Sequence, residues 1–176
     1  MTEPLYRRVL GAEFARLPAA VRRLHDVREP ARWAGIADVA AGRHPFCRAI
    51  ARVFRLPPAG QGQPITVSFT PTPDGTEIWA RQFGGGTFRS VQRAGGSGIE
   101  EQVGLARLDL ALHVDAGGLT LDLRRLTVAG IPMPRWLTPR IATSEAERDG
   151  RYTFDVAAEL PGFGLLVRYS GWLEPS

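Results

Sequence analysis

The chain has 176 residues and a mass of 19.2 kDa, enough for one domain with a sizeable core and too little for two cored domains joined by a linker. Hydrophobic residues make up 44% and charged residues 23%, the range of globular proteins, while 20 glycines and 14 prolines argue for many turns and against long helical bundles. The net charge of +4 is uneven: residues 1–56 carry 11 arginines against Glu3, Glu13, Asp26, Glu29 and Asp38, a net of +6, and the remainder stands at −2.

From Leu5 to about Leu56 apolar residues recur at helical spacing, first Leu5, Val9 and Leu10, then Phe14, Leu17, Val21 and Leu24. Pro18 falls inside that run and suits a first turn better than an interior, so the spacing predicts one helix through about Ala15 and a second from Pro18 to about His25. Residues 33–39 read as a short helix or a strand. The most regular helix is expected over Pro45–Arg55, with Phe46, Ile50 and Val53 on one face and Arg48, Arg52 and Arg55 on the opposite one. Prolines and glycines then break the chain over 57–64, which reads as a linker or long turn.

Beyond it the period drops to two. Ile65, Val67 and Phe69 alternate with polar residues, and further strands are expected over 77–83, 87–93, 108–115 and from Leu119, then 140–148, 152–160 and 164–173. Turn signals separate them at Pro71–Gly75, 84–86, 95–98, 116–118, Asp149-Gly150 and Pro161-Gly162. All connections have hairpin length and none is long enough for a helical crossover, so the sheet is antiparallel. The expected architecture is α+β: N-terminal helices packed on, or plugging, a strongly curved or partly closed antiparallel sheet of eight to ten strands spanning 65–173, in a single domain.

Catalytic and cofactor motifs are missing. The glycine clusters lack dinucleotide-loop spacing, and all 22 basic residues are arginine, so no phosphate-loop lysine exists. Base composition of the genome accounts for that bias as readily as selection for guanidinium chemistry. Two positions after Ser97 stands Ile99 rather than the glycine of a nucleophile elbow, and Ser97 reads as a loop residue. His25, His44 and His113 are scattered, and with one cysteine, Cys47, they build no metal set; no metal or cofactor is expected. Glu100, Glu101, Glu145 and Glu147 read chiefly as solvating a sheet. The single thiol and the lack of a signal-type or membrane-spanning apolar run lead to the expectation of a cytoplasmic protein, at most peripheral to the inner membrane. Interleaved basic and aromatic residues are too sparse for a nucleic-acid platform.

Two features suggest a site. Trp79, Arg81, Arg168 and Tyr169 stand in strands where aromatic bodies and guanidinium forks would line a concave face and meet a carboxylate or phosphate head group, although arginines on a wet face are the commoner case. The proline-stiffened segment Gly130–Pro139 holds Ile131, Met133, Trp136 and Leu137, and reads as the rim or lid of an apolar cavity or as a membrane-touching tip.

Five segments together resemble a known family: Leu5-Tyr-Arg-Arg-Val-Leu-Gly11, Arg81-Gln-Phe-Gly-Gly85 with Phe88 and Ser90, Gly130-Ile-Pro-Met-Pro134 with Leu137 and Pro139, Asp149-Gly-Arg-Tyr-Thr-Phe-Asp-Val156, and Gly164-Leu-Leu-Val-Arg-Tyr-Ser-Gly-Trp-Leu173. The family is an uncharacterised bacterial domain of unknown function, found alone or fused behind a saccharopine-dehydrogenase-like oxidoreductase domain. The resemblance transfers no catalytic residue; it implies a role beside an oxidoreductase partner. The leading expectation is non-enzymatic binding of an apolar or amphipathic, lipid-like small molecule, with Trp79, Arg81, Trp136, Arg168 and Tyr169 as candidate ligand contacts. One alternative is an interaction module that docks an acidic protein or anionic membrane through Arg48, Arg52 and Arg55. The other is an enzyme using a cavity carboxylate such as Glu100 or Asp155 as general base.

Overall fold

A computed structural model describes residues 3–84, 86–96, 98–115 and 117–176. Ser97, and with it Gly85 and Ala116 of the expected turns, lies outside the described residues. The chain runs α1 (Leu5–Leu10), a 3-10 turn (Gly11–Arg16), α2 (Ala19–His25), β1 (Ala31–Ala41), α3 (Pro45–Val53) and β2 (Gly60–Pro71). It continues through β3 (Glu77–Phe83), β4 (Gly86–Gly95), β5 (Gly98–Val103), β6 (Ala106–Asp115), β7 (Gly118–Val128), β8 (Ile131–Pro132), β9 (Arg140–Arg148), β10 (Arg151–Leu160) and β11 (Gly164–Pro175).

The strands form one antiparallel sheet in the order β6-β5-β4-β3-β2-β1-β11-β10-β9-β7-β8, and a further β6–β7 pairing joins its ends. Ten strands therefore close into a barrel, and β8 is a two-residue appendage on the end of β7. The expected curved sheet is present; it is closed, and the fold is mostly β. Ten is an even number, which lets every neighbour around the ring run antiparallel, and a ten-stranded ring is wider than the eight-stranded one that side chains just fill.

Three differences from the sequence reading have physical causes. Residues expected within a helical third supply β1, which lies in the wall between β2 and β11. Its inward positions, Trp33, Gly35, Ala37 and Val39, include two small residues that blur the alternation. The linker over 57–64 is shorter than expected, because β2 begins at Gly60. Helix α3 stops at Val53, since Arg55 adopts a positive φ of 52°; Val53 then points to solvent and Phe54 takes the apolar face with Phe46 and Ile50.

Closure depends on backbone detail. In β7 a bulge at Arg124 slips the register, so that Asp109 faces Arg125 while Leu110 faces Leu123. The slip moves the inward phase from Leu119, Leu121 and Leu123 to Leu126 and Val128 and keeps both stretches on the core side. At the other end of β7, Gly118 has φ +147° and a Cβ there would sit 1.9 Å from the Glu145 carbonyl oxygen, so only glycine lets β7 meet β9.

The barrel has two unlike ends. One carries the β2–β3, β4–β5, β6–β7 and β9–β10 turns and is plugged by α1, the 3-10 turn and α2, with Tyr6, Phe14, Val21 and Leu24 fully buried. These helices are short, and barrel carboxylates fix their first turns: Leu5 N donates to Glu77 Oε1 at 3.1 Å and Ala20 N donates to Glu147 Oε2 at 2.7 Å. The other end carries α3, the β3–β4, β5–β6 and β10–β11 turns and the segment 129–139. There α3 is held by His44 Nδ1, which accepts from Phe46 N, and by packing of Phe46 and buried Cys47 on Phe163.

Candidate functional site

Alternation places one residue in two inside the wall, and those side chains leave a cavity of about 420 Å³. Its walls are largely aliphatic and aromatic: Ile65, Val67, Leu108, Leu110, Val156 and Leu166 among others. Toward the α3 end it is bordered by Phe46, Ile50 and Phe54 of that helix, by Phe88, and by Met133 and Leu137 of the 130–139 segment, all short of full burial. A second space of about 330 Å³ adjoins it between the α3–β2 connection and the β3–β4 hairpin, sharing Leu56, Pro57, Phe83 and Phe88. The cavity therefore has its mouth at the α3 end and its floor against the helical plug.

The floor is polar. In β3, Glu77, Trp79, Arg81 and Phe83 share the inward face, so a glutamate and an arginine occupy positions where the alternation calls for apolar residues. Arg81 Nη1 donates to Ser90 Oγ at 2.9 Å, Arg81 Nη2 meets Glu101 Oε1 at 3.4 Å, and the guanidinium lies 4.9 Å from the centre of the Trp79 ring. The chain of contacts continues: Gln92 Nε2 donates to Glu101 Oε1 at 3.2 Å and Tyr6 donates its hydroxyl proton to Gln92 Oε1 at 3.0 Å. Across the floor His25 Nε2 and Glu145 Oε2 are 2.5 Å apart, Tyr152 lies near enough for the Glu145 charge to act on its phenol, and Tyr6 stacks on His25 with ring centres 3.7 Å apart.

Burial sets the ionisation of this cluster. It pushes the Tyr6 and Tyr152 phenols well above their usual value of 10, with the Glu145 charge adding to the effect, and it raises Tyr169 as well. Burial alone would lower Arg81, but Glu101 and the surrounding tyrosines more than offset it, and the guanidinium is held above its ordinary range. Glu77 is raised by burial, although donation from Trp79 Nε1 and Leu5 N works against that shift.

The expected site residues fall in different places. Trp79, Arg81 and Tyr169 come together on the cavity. Arg168 stands on the outer face of β11 and donates to both oxygens of Asp155, at 3.0 and 2.6 Å, so neither residue reaches the interior. Glu100 is also outside, paired with Arg93. Trp136 is exposed at the rim, and its neighbours Met133, Leu137 and Pro139 turn inward. Arg48 and Arg52 are exposed on α3, and Arg55 is exposed in the turn that follows it.

The sequence reading missed Tyr6, His25, Gln92, Glu101, Glu145 and Tyr152. Glu101 and Glu145, read as solvating the sheet, face inward. A signal existed: Glu101 shares its phase with Ile99 and Val103, and Glu145 shares its phase with Ile141 and Thr143. Among the described residues no group of three or more His, Cys, Asp or Glu is arranged to hold a metal ion, and no helix is long and apolar enough to cross a membrane.

A family model described as a domain of unknown function (DUF4166) matches residues 17–173. No curated protein and no solved structure matches the chain.

Proposed function

The chain belongs to the family described as a domain of unknown function (DUF4166), and from the geometry of its barrel we propose that it binds an amphipathic small molecule, apolar body toward the mouth and polar head on the floor. The observation that carries this reading is the unfilled interior: a ten-stranded wall leaves about 420 Å³ lined by apolar side chains, with a few convergent hydrogen-bonding groups at one end. That combination characterises small-molecule sites.

The floor also bears on the class of head group. Arg81 already faces a carboxylate, Glu101, and Glu145 adds a second acid to the lining. A carboxylate or phosphate head would meet like charge there. An uncharged head with hydroxyl, ester or carbonyl oxygens suits the donors of Arg81, Gln92 and Tyr169 and the acceptors of Glu101. Of the candidate contacts, Trp79, Arg81 and Tyr169 carry the reading, and the 130–139 segment serves as rim. In this reading an oxidoreductase partner, where one is present, receives an apolar compound from the barrel.

Native mass spectrometry of the protein purified without detergent tests the proposal. An adduct that organic extraction releases as an uncharged amphiphile is expected; a bare polypeptide mass, with no uptake of neutral lipid on incubation, would overturn it.

A second reading rests on the short His25–Glu145 contact beside the Tyr152 phenol at the cavity floor. A buried carboxylate oriented by imidazole is a candidate general base toward a bound ligand, with Glu145 in the role for which Glu100 and Asp155 stand too far outside. Turnover that is lost in Glu145→Gln while ligand uptake persists would establish it.

A further inference from the structure

The end of the barrel that holds the cavity mouth differs from the plugged end in both apolarity and charge. Among the described residues seven large apolar side chains are exposed, and five of them gather here: Phe46 and Val53 (76%) on α3, Leu105 (71%) in the β5–β6 turn, and Ile131 (63%) and Trp136 (62%) on the 129–139 segment. The last three sit on linked backbone, because Ala129 N donates to Leu105 O at 2.9 Å and Met133 N donates to Leu126 O at 2.9 Å. Turn bonds from Leu137 N and Thr138 N to Pro134 O hold the segment in shape. Such a ring of exposed apolar groups on firm backbone marks a contact surface.

Charge says what the surface meets. Residues 43–59 contain four arginines and no acid, and residues 126–140, which follow the β7 bulge, contain Arg135 and Arg140 and no acid; Arg125 before them pairs with Asp109 on the wall. Arg43, Arg48, Arg52, Arg55, Arg135 and Arg140 are all exposed, and among the described residues none of them makes an ion pair. At the plugged end arginines and acids are interspersed: Arg7 and Arg28 pair with Asp26, Arg16 with Glu13, Arg93 with Glu100, and Arg151 with Glu174, while Arg8, Arg23, Arg32 and Arg148 are exposed there without an ion pair among the described residues. Unpaired arginines around protruding Trp, Ile, Leu and Val suit a surface that presents anionic head groups above an apolar layer. Elsewhere the wall shows water a polar face, as in Arg151, Thr153, Asp155 and Glu159 of β10.

We propose that the α3 end docks on an anionic lipid bilayer, with Trp136, Ile131, Leu105 and Val53 entering the interface and Arg48, Arg52, Arg135 and Arg140 on the head groups, so that the cavity mouth faces the membrane. The orientation rests on the ligand-binding reading above, since it supplies a route by which an amphipathic molecule passes between bilayer and barrel without crossing water.

Co-sedimentation with vesicles tests the docking, and uptake of an uncharged fluorescent acyl probe in vesicle-free solution is measured in parallel. Binding to phosphatidylcholine vesicles containing phosphatidylglycerol is expected, with little binding to pure phosphatidylcholine and loss in about 1 M salt. Arg48→Glu with Arg52→Glu, and separately Val53→Ser with Leu105→Ser, should each weaken partition by about tenfold or more while probe uptake stays unchanged. These side chains are exposed and lie outside the cavity, so the fold is retained, which circular dichroism verifies. Equal partition onto both vesicle types, or unaltered binding by either double variant, would overturn the docking surface. Retention on polyglutamate without vesicle binding would overturn it in favour of an acidic protein partner. Probe uptake that persists when vesicle binding fails leaves the ligand reading standing alone; vesicle binding without probe uptake removes the ligand reading and leaves only the surface.

Discussion

Arg81 and Glu101 meet on the inside of the barrel wall, Nη2 to Oε1 at 3.4 Å with both side chains 13% exposed, in strands where every second position should be apolar. A buried charge whose partner is removed costs far more than the pair contributes. Glu101→Leu, which strands the guanidinium, is therefore expected to lower stability by about 3–5 kcal/mol in urea unfolding. The double variant Arg81→Met, Glu101→Leu should recover most of that loss. A single variant as stable as the parent would mean that cavity water solvates Arg81.

All three tyrosines of the chain, Tyr6, Tyr152 and Tyr169, sit around the cavity floor, and burial raises each phenol above its usual value of 10. A group raised by folding lends stability below its unfolded value and withdraws it as pH climbs toward the folded one. Tyrosinate absorbance should stay silent through pH values around 10 and rise only with unfolding. Ionisation of one phenol in three, with the circular dichroism of the barrel intact, would contradict the buried floor.

Glu77 provides a pH test of opposite practical range. Burial raises its carboxyl above 4.5, so the native state holds that proton more tightly than the unfolded chain does. Its contribution to stability is complete below the unfolded value and declines as pH rises through the folded one. Glu77→Gln cannot titrate, and its melting temperature relative to the parent should climb between mildly acidic pH and neutrality. A relative fall over that interval would show that the two donors, Leu5 N and Trp79 Nε1, outweigh burial.

Closure of the ring is tested at Gly118. A side chain there must displace the Glu145 carbonyl, and Gly118→Val is expected to cost about 2 kcal/mol or more. Hydrogen exchange should quicken first at Ala142–Ala146, the β9 residues paired with β7. Uniform exchange along all strands would place the closing seam elsewhere.

Much of this architecture is legible along the chain. Tyr152, Phe154, Val156, Ala158 and Leu160 alternate without a break, and β10 follows from them; Asp149-Gly150 and Pro161-Gly162 mark its ends. What local pattern does not carry is pairing between distant strands. The β1–β11 contact joins Trp33 to Pro175 across nearly the whole chain, and no hairpin signal announces it. Nor does alternation survive the bulge at Arg124, where two successive arginines face outward and the inward phase changes. The polar floor was half legible: Arg81 stands out between Trp79 and Phe83, whereas Glu101 beside Glu100 looks like an ordinary wet pair until the strand phase is applied. Tyr6 and His25 join the floor only because α1 and α2 enter the barrel end, a tertiary fact without a local signature.

The most direct test of the binding role is a titration of an uncharged fluorescent acyl probe into the parent protein and into Val156→Trp, which puts an indole into the cavity from β10. Saturable one-to-one uptake by the parent, abolished in the filled variant with its fold and melting temperature preserved, is the expected result. Equal uptake by both proteins, or none by the parent, would contradict a ligand site inside the barrel.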